Sequence, residues 1–482
     1  MNFAELMRPW IHHAMPDCAI SGIHNDSRFI KPGYLFLAYP GAATDGRLYI
    51  EQALAAGAVA LVFDPENWSK IPDSIPAIAL PELGKKLAGI ASRFYGEPSK
   101  KMAVIGVTGT NGKTTIAYQL AQAQELLGKK AAYIGTIGQG EVNALKPLAN
   151  TTPDALCLQH LLHDFNEASI STVCMEVSSH ALCQGRVDEV RFQQAIFTNL
   201  SHEHLDYHHT MEDYAAAKAT LFKWPQLKWA IINQDDPFSQ RMIHDATCQI
   251  LPYGFKEGAL VRARQCEVTL EGTTIHLDSP WGQHRLVINA LGLFNVYNAL
   301  AVFSSLMVEG FPVESVIAVM AQLKAAPGRM EIVTKAPFTL VDYAHSPDAL
   351  ENVLITLKTL QTGRVIVVFG CGGDRDKSKR PVMGKIASAH ADVVILTSDN
   401  PRTENPEAII DEIEAGISEK LNLYKISDRK QAIQKALFLA NKEDIILVAG
   451  KGHEDYQQIG TVRHAFSDQA VLRELVHSTC RA

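Results

Sequence analysis

A glycine-rich loop between a short apolar strand and a helical segment constrains the fold of this chain more than any other feature. The loop runs from Gly106 to Thr115 and reads GVTGTNGKTT. The apolar, β-branched run 102–107 before it is typical of a buried strand. The run 116–127 after it is rich in helix formers and is followed by Gly128. A strand, a glycine loop with Gly-Lys-Thr and a helix form the layout of a phosphate-binding P-loop.

The residue types in this loop suit phosphate chemistry. Glycines let backbone N–H groups turn towards phosphate oxygens, and the N-terminus of the following helix adds a positive dipole. We expect Lys113 to reach the β- and γ-phosphates and Thr114 to bind Mg²⁺. The usual motif has its first glycine at position 107, where this chain has valine, so a glycine-rich turn without phosphate chemistry is the alternative. The flanking strand and helix favour the P-loop.

The composition is that of a soluble globular protein. The chain has 482 residues, enough for about three domains, with 47% apolar and 20% charged residues. The net charge is −7 and no stretch is dense in lysine and arginine, which argues against a nucleic-acid partner. The N-terminal segment does not resemble a signal peptide, no apolar run reaches about 18 residues, and the eight cysteines form no CxxC pair. We therefore expect a cytoplasmic protein without membrane insertion, and we separately expect a monomer.

The pattern of apolar runs and turns predicts three α/β units. They cover residues 1–97, 98–327 and 328–482. Strands alternate with helices in the second and third units, which predicts a central parallel sheet around the P-loop and a C-terminal Rossmann-like domain. A turn-rich, alternating stretch predicts a small antiparallel patch over 263–290. The remaining predictions are strands at 33–39, 59–63, 130–134, 172–177, 194–198, 229–233, 339–342, 364–369, 392–396 and 444–448, and a helix at 49–56.

Glu176 ends an apolar strand of the second unit. A carboxylate in this place resembles the Mg²⁺-holding acid of P-loop enzymes, whereas a strand-end carboxylate paired with a surface cation is the alternative. The following Ser178-Ser179-His180 lacks the G-x-S-x-G pattern of a nucleophile elbow. The P-loop upstream favours the metal role.

The stretch 199–209, after the next strand, is dense in histidine and carboxylate side chains. Its spacing matches neither a zincin nor a zinc finger, so zinc is disfavoured, and His204 is a candidate Mg²⁺ contact. Lys218 lies further along in a helix of small residues. From this pattern alone, Lys218 would be a solvent-facing lysine.

Four strand ends of the third unit carry polar loops. The loops are 342–348, 370–376, 399–402 and 450–454. The second is rich in glycine but lacks G-x-G-x-x-G, which disfavours NAD binding. Because α/β proteins bind ligands at the carboxyl ends of their strands, the loops predict a second substrate site facing the P-loop.

Together and in this order, these segments resemble the Mur ligases, the ATP-dependent amide-bond-forming enzymes of peptidoglycan precursor synthesis. The resemblance extends along nearly the whole chain, and the family shares the unusual spacing of the P-loop glycines. The segments that carry it are Asp26–Arg28, Thr108–Thr115, Asn150–Pro153, Glu176–Arg186, Asn199–Lys218, Gly292–Asn298, Pro327–Glu331, Asp342–Asp348, Gly373–Pro381, Asp399–Arg402 and Gly450–Glu454.

The resemblance implies an ADP-forming ligase that adds meso-2,6-diaminopimelate to UDP-N-acetylmuramoyl-L-alanyl-D-glutamate, with ATP as co-substrate and Mg²⁺ as cofactor. The first unit would hold the uridine end, the second ATP and the third the incoming amino acid. Contacts with the UDP-linked substrate are implied for Ser27, Asn150, Thr151, Thr152, Ser178, Gln184 and Arg186. Contacts with ATP are implied for Gly109, Thr110, Asn111, Gly112, Lys113, Thr114, Thr115, Asn295, Arg329, Asp342 and His345.

The resemblance also implies that Lys218 is carbamylated, which replaces the solvent-facing interpretation. CO₂ reacts with a neutral amine, so the site must favour proton loss from a side chain that ordinarily titrates near about 10.4. The resulting anion can bind or orient Mg²⁺. The implied metal contacts are Thr114, Glu176, His204 and Lys218, and the implied catalytic residues are Lys113, Glu176, His204 and Lys218.

Arg402 is the residue on which the expected choice of amino acid depends. In the family, the Asp-Asn-Pro-Arg form found at 399–402 accompanies diaminopimelate, and lysine-adding relatives lack the arginine. Diaminopimelate is lysine plus one carboxylate, for which arginine offers a planar fork. Glu454 would hold the distal ammonium. The full implied amino-acid site is Arg375, Asp399, Asn400, Pro401, Arg402, Gly450 and Glu454.

Two departures from the family pattern stand out, and three alternatives stay open. His202-Glu203-His204 stands where the family often has Arg-Asp-His, and the second uridine loop near 41–45 carries no strict motif. The alternatives are a lysine-adding Mur ligase, a ligase of the folylpolyglutamate synthetase type, and a P-loop ATPase switch without ligase chemistry. The size of the first unit and the segment 399–402 argue against the folate enzyme, and the polar loops of the third unit argue against the switch.

Overall fold

The computed structural model describes residues 1–12, 17–41, 44–418 and 422–479. Its strands form sheets of four, ten and six strands and one two-stranded hairpin. No helix within these residues is both long enough and apolar enough to span a membrane. The seven cysteines that are described are free thiols, and Cys480 lies outside the described residues.

The N-terminal sheet has four parallel strands in the order β1-β2-β3-β4. The Asp26 carboxylate accepts a hydrogen bond from the backbone N–H of Arg28 at 3.0 Å and so starts the 3₁₀ turn that presents Ser27. The elements are β1 Gly22–His24, β2 Tyr34–Ala38, β3 Ala58–Phe63 and β4 Ala77–Ala79, with helices α1 Phe3–Met7, α2 Ile50–Ala55 and α3 Leu83–Phe94.

The central sheet has ten strands in the order β14-β13-β12-β11-β10-β9-β5-β8-β6-β7. Its strands are β5 Ala103–Thr108, β6 Ala131–Gly135, β7 Gly138–Gly140, β8 Thr172–Glu176, β9 Phe192–Phe197, β10 Trp229–Asn233, β11 Gln249–Gly254, β12 Val261–Thr269, β13 Gly272–Ser279 and β14 Gly282–Ile288. Its helices are α4 Lys113–Leu126, α5 Ala155–Glu167, α6 Ser179–Cys183, α7 Leu205–His208, α8 Met211–Ala219, α9 Ser239–Ile243, α10 Leu293–Val308 and α11 Val313–Met320.

The C-terminal sheet has six strands in the order β15-β16-β20-β17-β18-β19, and the hairpin β21-β22 lies outside it. The strands are β15 Glu331–Lys335, β16 Phe338–Asp342, β17 Val365–Phe369, β18 Val393–Leu396, β19 Leu423–Lys425, β20 Ile445–Ala449, β21 Tyr456–Ile459 and β22 Val462–Ala465. The helices are α12 Pro347–Leu360, α13 Lys379–His390, α14 Pro406–Glu414, α15 Arg429–Leu439 and α16 Asp468–Thr479.

Both large sheets are covered on two faces. Val104 and Ile105 are neighbours in β5 but belong to different hydrophobic clusters, and so do Ile366 and Val367 in β17. Successive strand residues point to opposite faces, so each sheet is packed on both sides, as parallel sheets require. This packing explains why the strands are continuous apolar runs and were recognisable in the sequence.

The α/β fold class predicted from the sequence is confirmed, with two differences in detail. Helix α4 begins at Lys113, three residues before the predicted start, because Gly112 at φ +88° ends the loop immediately before it. The predicted antiparallel patch is not separate: β12 pairs in parallel with β11, and β13 and β14 then extend the central sheet in antiparallel fashion.

Candidate active site

The P-loop lies at the carboxyl end of β5 and is held by the end of the neighbouring strand β9. The Thr198 hydroxyl donates to the carbonyl of Asn111 at 2.6 Å, and the Asn199 side chain accepts from the N–H of Asn111 at 2.9 Å. The Lys113 ammonium donates to the carbonyls of Gly109 and Thr110 at 2.9 and 2.7 Å. The lysine therefore folds back over the loop at the N-terminus of α4.

A cavity of about 390 Å³, the P-loop cavity, opens beside this loop. It brings together most of the residues singled out in the sequence, from both the central and the C-terminal units. Those lining it are Thr110, Asn111, Gly112, Lys113, Thr114, Thr115, Asn150, Thr151, Thr152, Glu176, Ser178, Arg186, His204, Lys218, Arg329 and His345.

Glu176 enters the P-loop cavity from the end of β8, next to β5. Its side chain is 1% exposed. The Tyr133 hydroxyl donates to Oε1 at 2.5 Å, and the Thr136 backbone N–H donates to the same oxygen at 2.8 Å. These bonds hold the carboxylate in one orientation inside the cavity. Glu176 is therefore not a surface carboxylate paired with an exposed cation, which was the alternative interpretation.

Lys218 is buried, contrary to the pattern of its helix, with 1% of its surface exposed. Its ammonium donates to the Gly109 carbonyl at 2.9 Å and lies 4.5 Å from the centre of the Tyr214 ring. Burial, with the nearby charge of Lys113, holds the pKa of Lys218 well below its ordinary value. The site therefore favours the neutral amine, the form that reacts with CO₂.

Glu203 connects the central and C-terminal units across the P-loop cavity. One of its oxygens lies 3.8 Å from His345 Nε2, and the other lies 4.0 Å from His204 Nε2. Burial lowers the pKa of His204 to about 4 and also lowers the pKa of His345. Both imidazoles therefore favour the neutral form at pH 7.

A second cavity of about 480 Å³, the side cavity, lies on the other side of the P-loop. Asn295 and Asp342 line it together with the aromatic rings of Phe294 and Tyr297. Burial raises the pKa of Asp342, whose oxygens accept backbone N–H bonds from Met330 and Ala344, both at 2.7 Å. An aromatic and polar cavity beside a P-loop suits a nucleoside.

Arg329 lines both cavities. Its guanidinium lies 4.4 Å from the centre of the Tyr343 ring, and one of its nitrogens donates to the Thr114 hydroxyl at 3.3 Å. An arginine from beyond the central sheet thus contacts the first turn of α4, where the terminal phosphates of a nucleotide would lie.

The predicted substrate residues divide between two places. Ser27 lines a third cavity, of about 460 Å³, in the N-terminal unit and donates to the Gln52 side chain at 3.0 Å. Gln184 is not among the residues that line the P-loop cavity, but its side chain accepts a 2.9 Å bond from Arg186, which does line it. Part of the loop 41–45 lies outside the described residues.

The predicted amino-acid residues converge at the carboxyl ends of β17, β18 and β20. Arg402 donates to the Gly373 carbonyl at 2.7 Å, and Asn400 donates to the Glu454 carboxylate at 2.7 Å. A Cβ atom on Gly450 would lie 2.6 Å from an oxygen of Asp399, so the two loops approach as closely as glycine allows. The other predicted members, Arg375 and Pro401, lie in the same pair of loops, at 370–376 and 399–402.

Three family models match this chain. The Mur ligase family catalytic domain matches residues 19–95, the Mur ligase middle domain 107–306, and the Mur ligase glutamate ligase domain 328–452. UDP-N-acetylmuramoyl-L-alanyl-D-glutamate--2,6-diaminopimelate ligase of Pseudomonas aeruginosa is 44% identical over 457 residues, 94% of both chains. The chain belongs to the Mur ligase family.

Two further comparisons agree with membership of the Mur ligases. The enzyme of the same name from Chromobacterium violaceum is 44% identical over 465 residues, again 94% of both chains. A solved structure of a UDP-N-acetylmuramoyl-L-alanyl-D-glutamate--2,6-diaminopimelate ligase is 36% identical, with a TM-score of 0.75 and full coverage of both chains. The similarity to these Mur ligases therefore includes all three sheets.

The donor set of this Mur ligase suits Mg²⁺ in its chemistry. Among the described residues, no three His, Cys, Asp or Glu side chains form a group able to hold a metal. The predicted Mg²⁺ ligands include two such side chains, Glu176 and His204. The other two predicted ligands are the Thr114 hydroxyl and Lys218, which line the same cavity. The carboxylate and hydroxyl are hard oxygen donors, and a carbamate on Lys218 would add another.

Several residues that sequence reasoning missed contact the predicted site residues of this Mur ligase. Tyr133 and Thr136 hold Glu176, and Tyr343 stacks on Arg329. Tyr343 and Lys451 lie in the polar loops 342–348 and 450–454, which the sequence pattern indicated, whereas Tyr133 and Thr136 lie in neither loop. Lys451 stands next to Gly450 in the loop 450–454, and its ammonium is hydrogen-bonded to Asn400 and Glu454.

Proposed function

We propose that this Mur ligase joins meso-2,6-diaminopimelate to the D-glutamyl carboxylate of UDP-N-acetylmuramoyl-L-alanyl-D-glutamate, with hydrolysis of ATP to ADP and phosphate. The observation that carries the proposal is the 44% identity, over 94% of both chains, to a ligase bearing that name. The product belongs to peptidoglycan precursor synthesis. We further propose that the protein acts in the cytoplasm as a monomer on these small molecules, without nucleic acid or membrane insertion.

In this proposal, each of the three units binds a different substrate or part of a substrate. Residues 1–97 hold the uridine end, with Ser27 in its cavity; residues 98–327 hold ATP; and residues 328–482 hold the amino acid. The arrangement is supported by the distribution of cavities, because the N-terminal cavity, the side cavity and the P-loop cavity lie in or between these units. The side cavity would take the adenosine end, near Asn295 and Asp342.

The first half-reaction activates the carboxylate, because a carboxylate oxygen is a poor leaving group. The D-glutamyl oxygen attacks the γ-phosphorus of ATP, the bond to ADP breaks, and an acyl phosphate results. Lys113 and the N-terminus of α4 stabilise the negative charge on the transferring phosphoryl group, and Arg329 approaches it from the C-terminal side. Asn150, Thr151, Thr152, Ser178, Gln184 and Arg186 position the UDP-linked substrate.

The cofactor in this proposal is Mg²⁺: Thr114, Glu176, His204 and carbamylated Lys218 would hold it, and it would neutralise phosphate charge and orient the phosphate oxygens. Tyr133 and Thr136 keep Glu176 turned towards the cavity. The buried, neutral amine of Lys218 is the form that CO₂ modifies. His204 is held neutral by burial, so a ring nitrogen is free of its proton.

The second half-reaction forms the amide bond. The amine of diaminopimelate attacks the acyl carbon, a tetrahedral intermediate forms, and its collapse breaks the carbon–oxygen bond to phosphate, which takes up the proton that the nitrogen loses. The loops 399–402 and 450–454 hold the amino acid, with Arg402 on its distal carboxylate. Contacts from Arg329 and His345 to the central unit bring these loops towards the P-loop cavity and limit access of water to the acyl phosphate.

The proposal is tested by measuring phosphate release with each substrate omitted in turn. Release is expected only when ATP, Mg²⁺, the UDP-linked dipeptide and diaminopimelate are all present, with a product whose mass equals the sum of the two joined substrates less one water. Release that does not depend on an amino acid would support the ATPase switch instead. Product formation with a folate substrate would support the folylpolyglutamate type.

A further inference from the structure

Lys451 is a buried lysine in the amino-acid site to which the proposed function assigns no role. Its side chain is 0% exposed, whereas that of Glu454 is 16% exposed. The ammonium lies 2.8 Å from Glu454 Oε2 and donates to Asn400 Oδ1 at 3.1 Å. Asn400 Nδ2 in turn donates to the same Oε2 at 2.7 Å. The three side chains therefore form a closed ring of hydrogen bonds across two loops.

The ring fixes one oxygen of Glu454 and leaves the other for a ligand. In the described part of the chain, both hydrogen bonds that the Glu454 carboxylate accepts end on Oε2. Asn400 is fixed as well, because its Oδ1 also accepts the backbone N–H of Gln458 at 2.9 Å. A carboxylate held in this way presents Oε1 in a constant direction.

A buried ion pair contacts the backbone at the base of the two loops that carry the ring. The Arg429 guanidinium donates to the Asp468 carboxylate at 2.8 and 2.7 Å, and both side chains are 0% exposed. The same guanidinium donates at 2.9 Å to the carbonyl of Ala449, directly before the loop 450–454. Its other terminal nitrogen donates to the carbonyl of Ser398 at 3.5 Å, directly before the loop 399–402, so one buried guanidinium contacts the base of both loops.

The charge of Lys451 changes what Glu454 can recognise. Lys451 already neutralises the Glu454 carboxylate, so a bare ammonium that arrives there meets a second cation close by. The distal end of diaminopimelate carries a carboxylate beside its ammonium, and Arg402 is available for that carboxylate. The distal end of L-lysine carries the ammonium alone.

We propose that Lys451 is a positioning residue that fixes Glu454 and Asn400 and, by its charge, favours diaminopimelate over L-lysine. The inference rests on the proposed function, and it concerns a residue that does not itself need to touch the substrate.

The test compares kcat/KM for diaminopimelate and for L-lysine in wild-type enzyme, Lys451→Met and Lys430→Met. Lys430 is an exposed lysine of the same unit, paired with Glu474, and its variant serves as the matched control. In Lys451→Met, the preference for diaminopimelate over lysine is expected to fall about tenfold or more, while KM for ATP and for the UDP-linked substrate stays unchanged. Equal losses for both amino acids, or an unchanged preference, would overturn the proposal.

A double variant guards against misfolding of Lys451→Met, in which Glu454 would lose its buried partner. Lys451→Met/Glu454→Gln contains no unpaired charge, and it is measured beside Glu454→Gln alone. Because the two residues act as one unit, the double variant is expected to lose no more of the preference for diaminopimelate than the worse of the two single variants. A double variant that keeps the wild-type preference would contradict the role of Lys451. Wild-type enzyme that uses neither amino acid would refute the proposed function as well, and that outcome is visible before any variant is made.

Discussion

At the scale of single residues, the burial of Lys218 is the feature that departs furthest from its sequence pattern. The small residues of α8 allow close packing, and the Gly109 carbonyl, 109 positions away in the chain, receives its ammonium. A pattern within one helix cannot reveal such a partner. The resemblance to the Mur ligases indicated an unusual lysine, and the structure supplies the physical reason, because burial beside Lys113 disfavours the charged form.

We expect Lys218→Met to change how stability depends on pH. The pKa of Lys218 is depressed in the folded protein, whereas an unfolded lysine titrates near about 10.4. Between those two values the unfolded chain binds the extra proton, so the wild-type free energy of unfolding rises with pH, by at most about 1.4 kcal/mol per unit. Urea unfolding at pH 7 and 9 in CO₂-free buffer should show this rise in wild type and a smaller one in Lys218→Met. Lys113 is present in both proteins, so its contribution cancels, and identical pH dependence would argue against the buried neutral amine.

Arg402 should control the choice of amino acid. Arg402→Ala removes the cation expected to meet the distal carboxylate, and losing one partner of such a pair costs about 2–5 kcal/mol, or roughly 30- to several-thousand-fold in kcat/KM for diaminopimelate. Activity with L-lysine should change little. Steady-state kinetics with both amino acids measure the effect, with the exposed Arg241→Ala as the control. A parallel fall with both amino acids would indicate general damage to the loop.

At the scale of elements, the P-loop was predictable because its signal is local. The strand β5, the glycines and helix α4 follow one another within about 25 residues, so apolar runs and glycine spacing were sufficient. The polar loops after β16, β17, β18 and β20 were recognised for the same reason. The ring of Lys451, Asn400 and Glu454 was not, because it joins loops from different strands and depends on the order of strands in the sheet.

We expect Gly109→Ala to lower activity strongly. Gly109 has φ +146°, a Cβ atom there would overlap the Thr198 hydroxyl oxygen, and its carbonyl accepts both Lys113 and Lys218. A shift of this peptide should lower kcat/KM for ATP at least about a hundredfold. Gly128→Ala is the matched control, with φ +84° and open space around its Cβ, so it should cost only about 1 kcal/mol of stability. Equal activities of the two variants in phosphate release would contradict the loop geometry.

At the scale of the whole molecule, the P-loop cavity lies where the central and C-terminal units meet. Arg329 reaches Thr114, and His345 lies near Glu203, so residues on both sides of position 327 line the P-loop cavity. The sequence predicted that the third unit faces the P-loop, since strand-end loops collect ligands. It could not supply the contacts between units, which depend on their relative placement.

Gly328 lies next to the predicted domain boundary at 327 and contacts the backbone of the loop 450–454. Its φ is +66°, and a Cβ atom there would overlap the backbone of Gly452 and His453. We expect Gly328→Ala to push this loop away and lower the rate of amide formation at least about tenfold, while acyl phosphate formation, trapped with hydroxylamine, continues. Gly310→Ala, with φ +86° and no neighbour within 4 Å, controls for backbone strain. Equal losses in both half-reactions would place the effect in the ATP site.

One measurement tests the central claim most directly. The enzyme is supplied with ATP, Mg²⁺ and UDP-N-acetylmuramoyl-L-alanyl-D-glutamate together with equal concentrations of meso-diaminopimelate and L-lysine, and the products are separated by mass. We expect the diaminopimelate product in at least about thirtyfold excess, with one phosphate released per amide bond formed. A predominant lysine product would keep the ligase chemistry and refute the role of Arg402, and phosphate release without either product would refute the ligase itself.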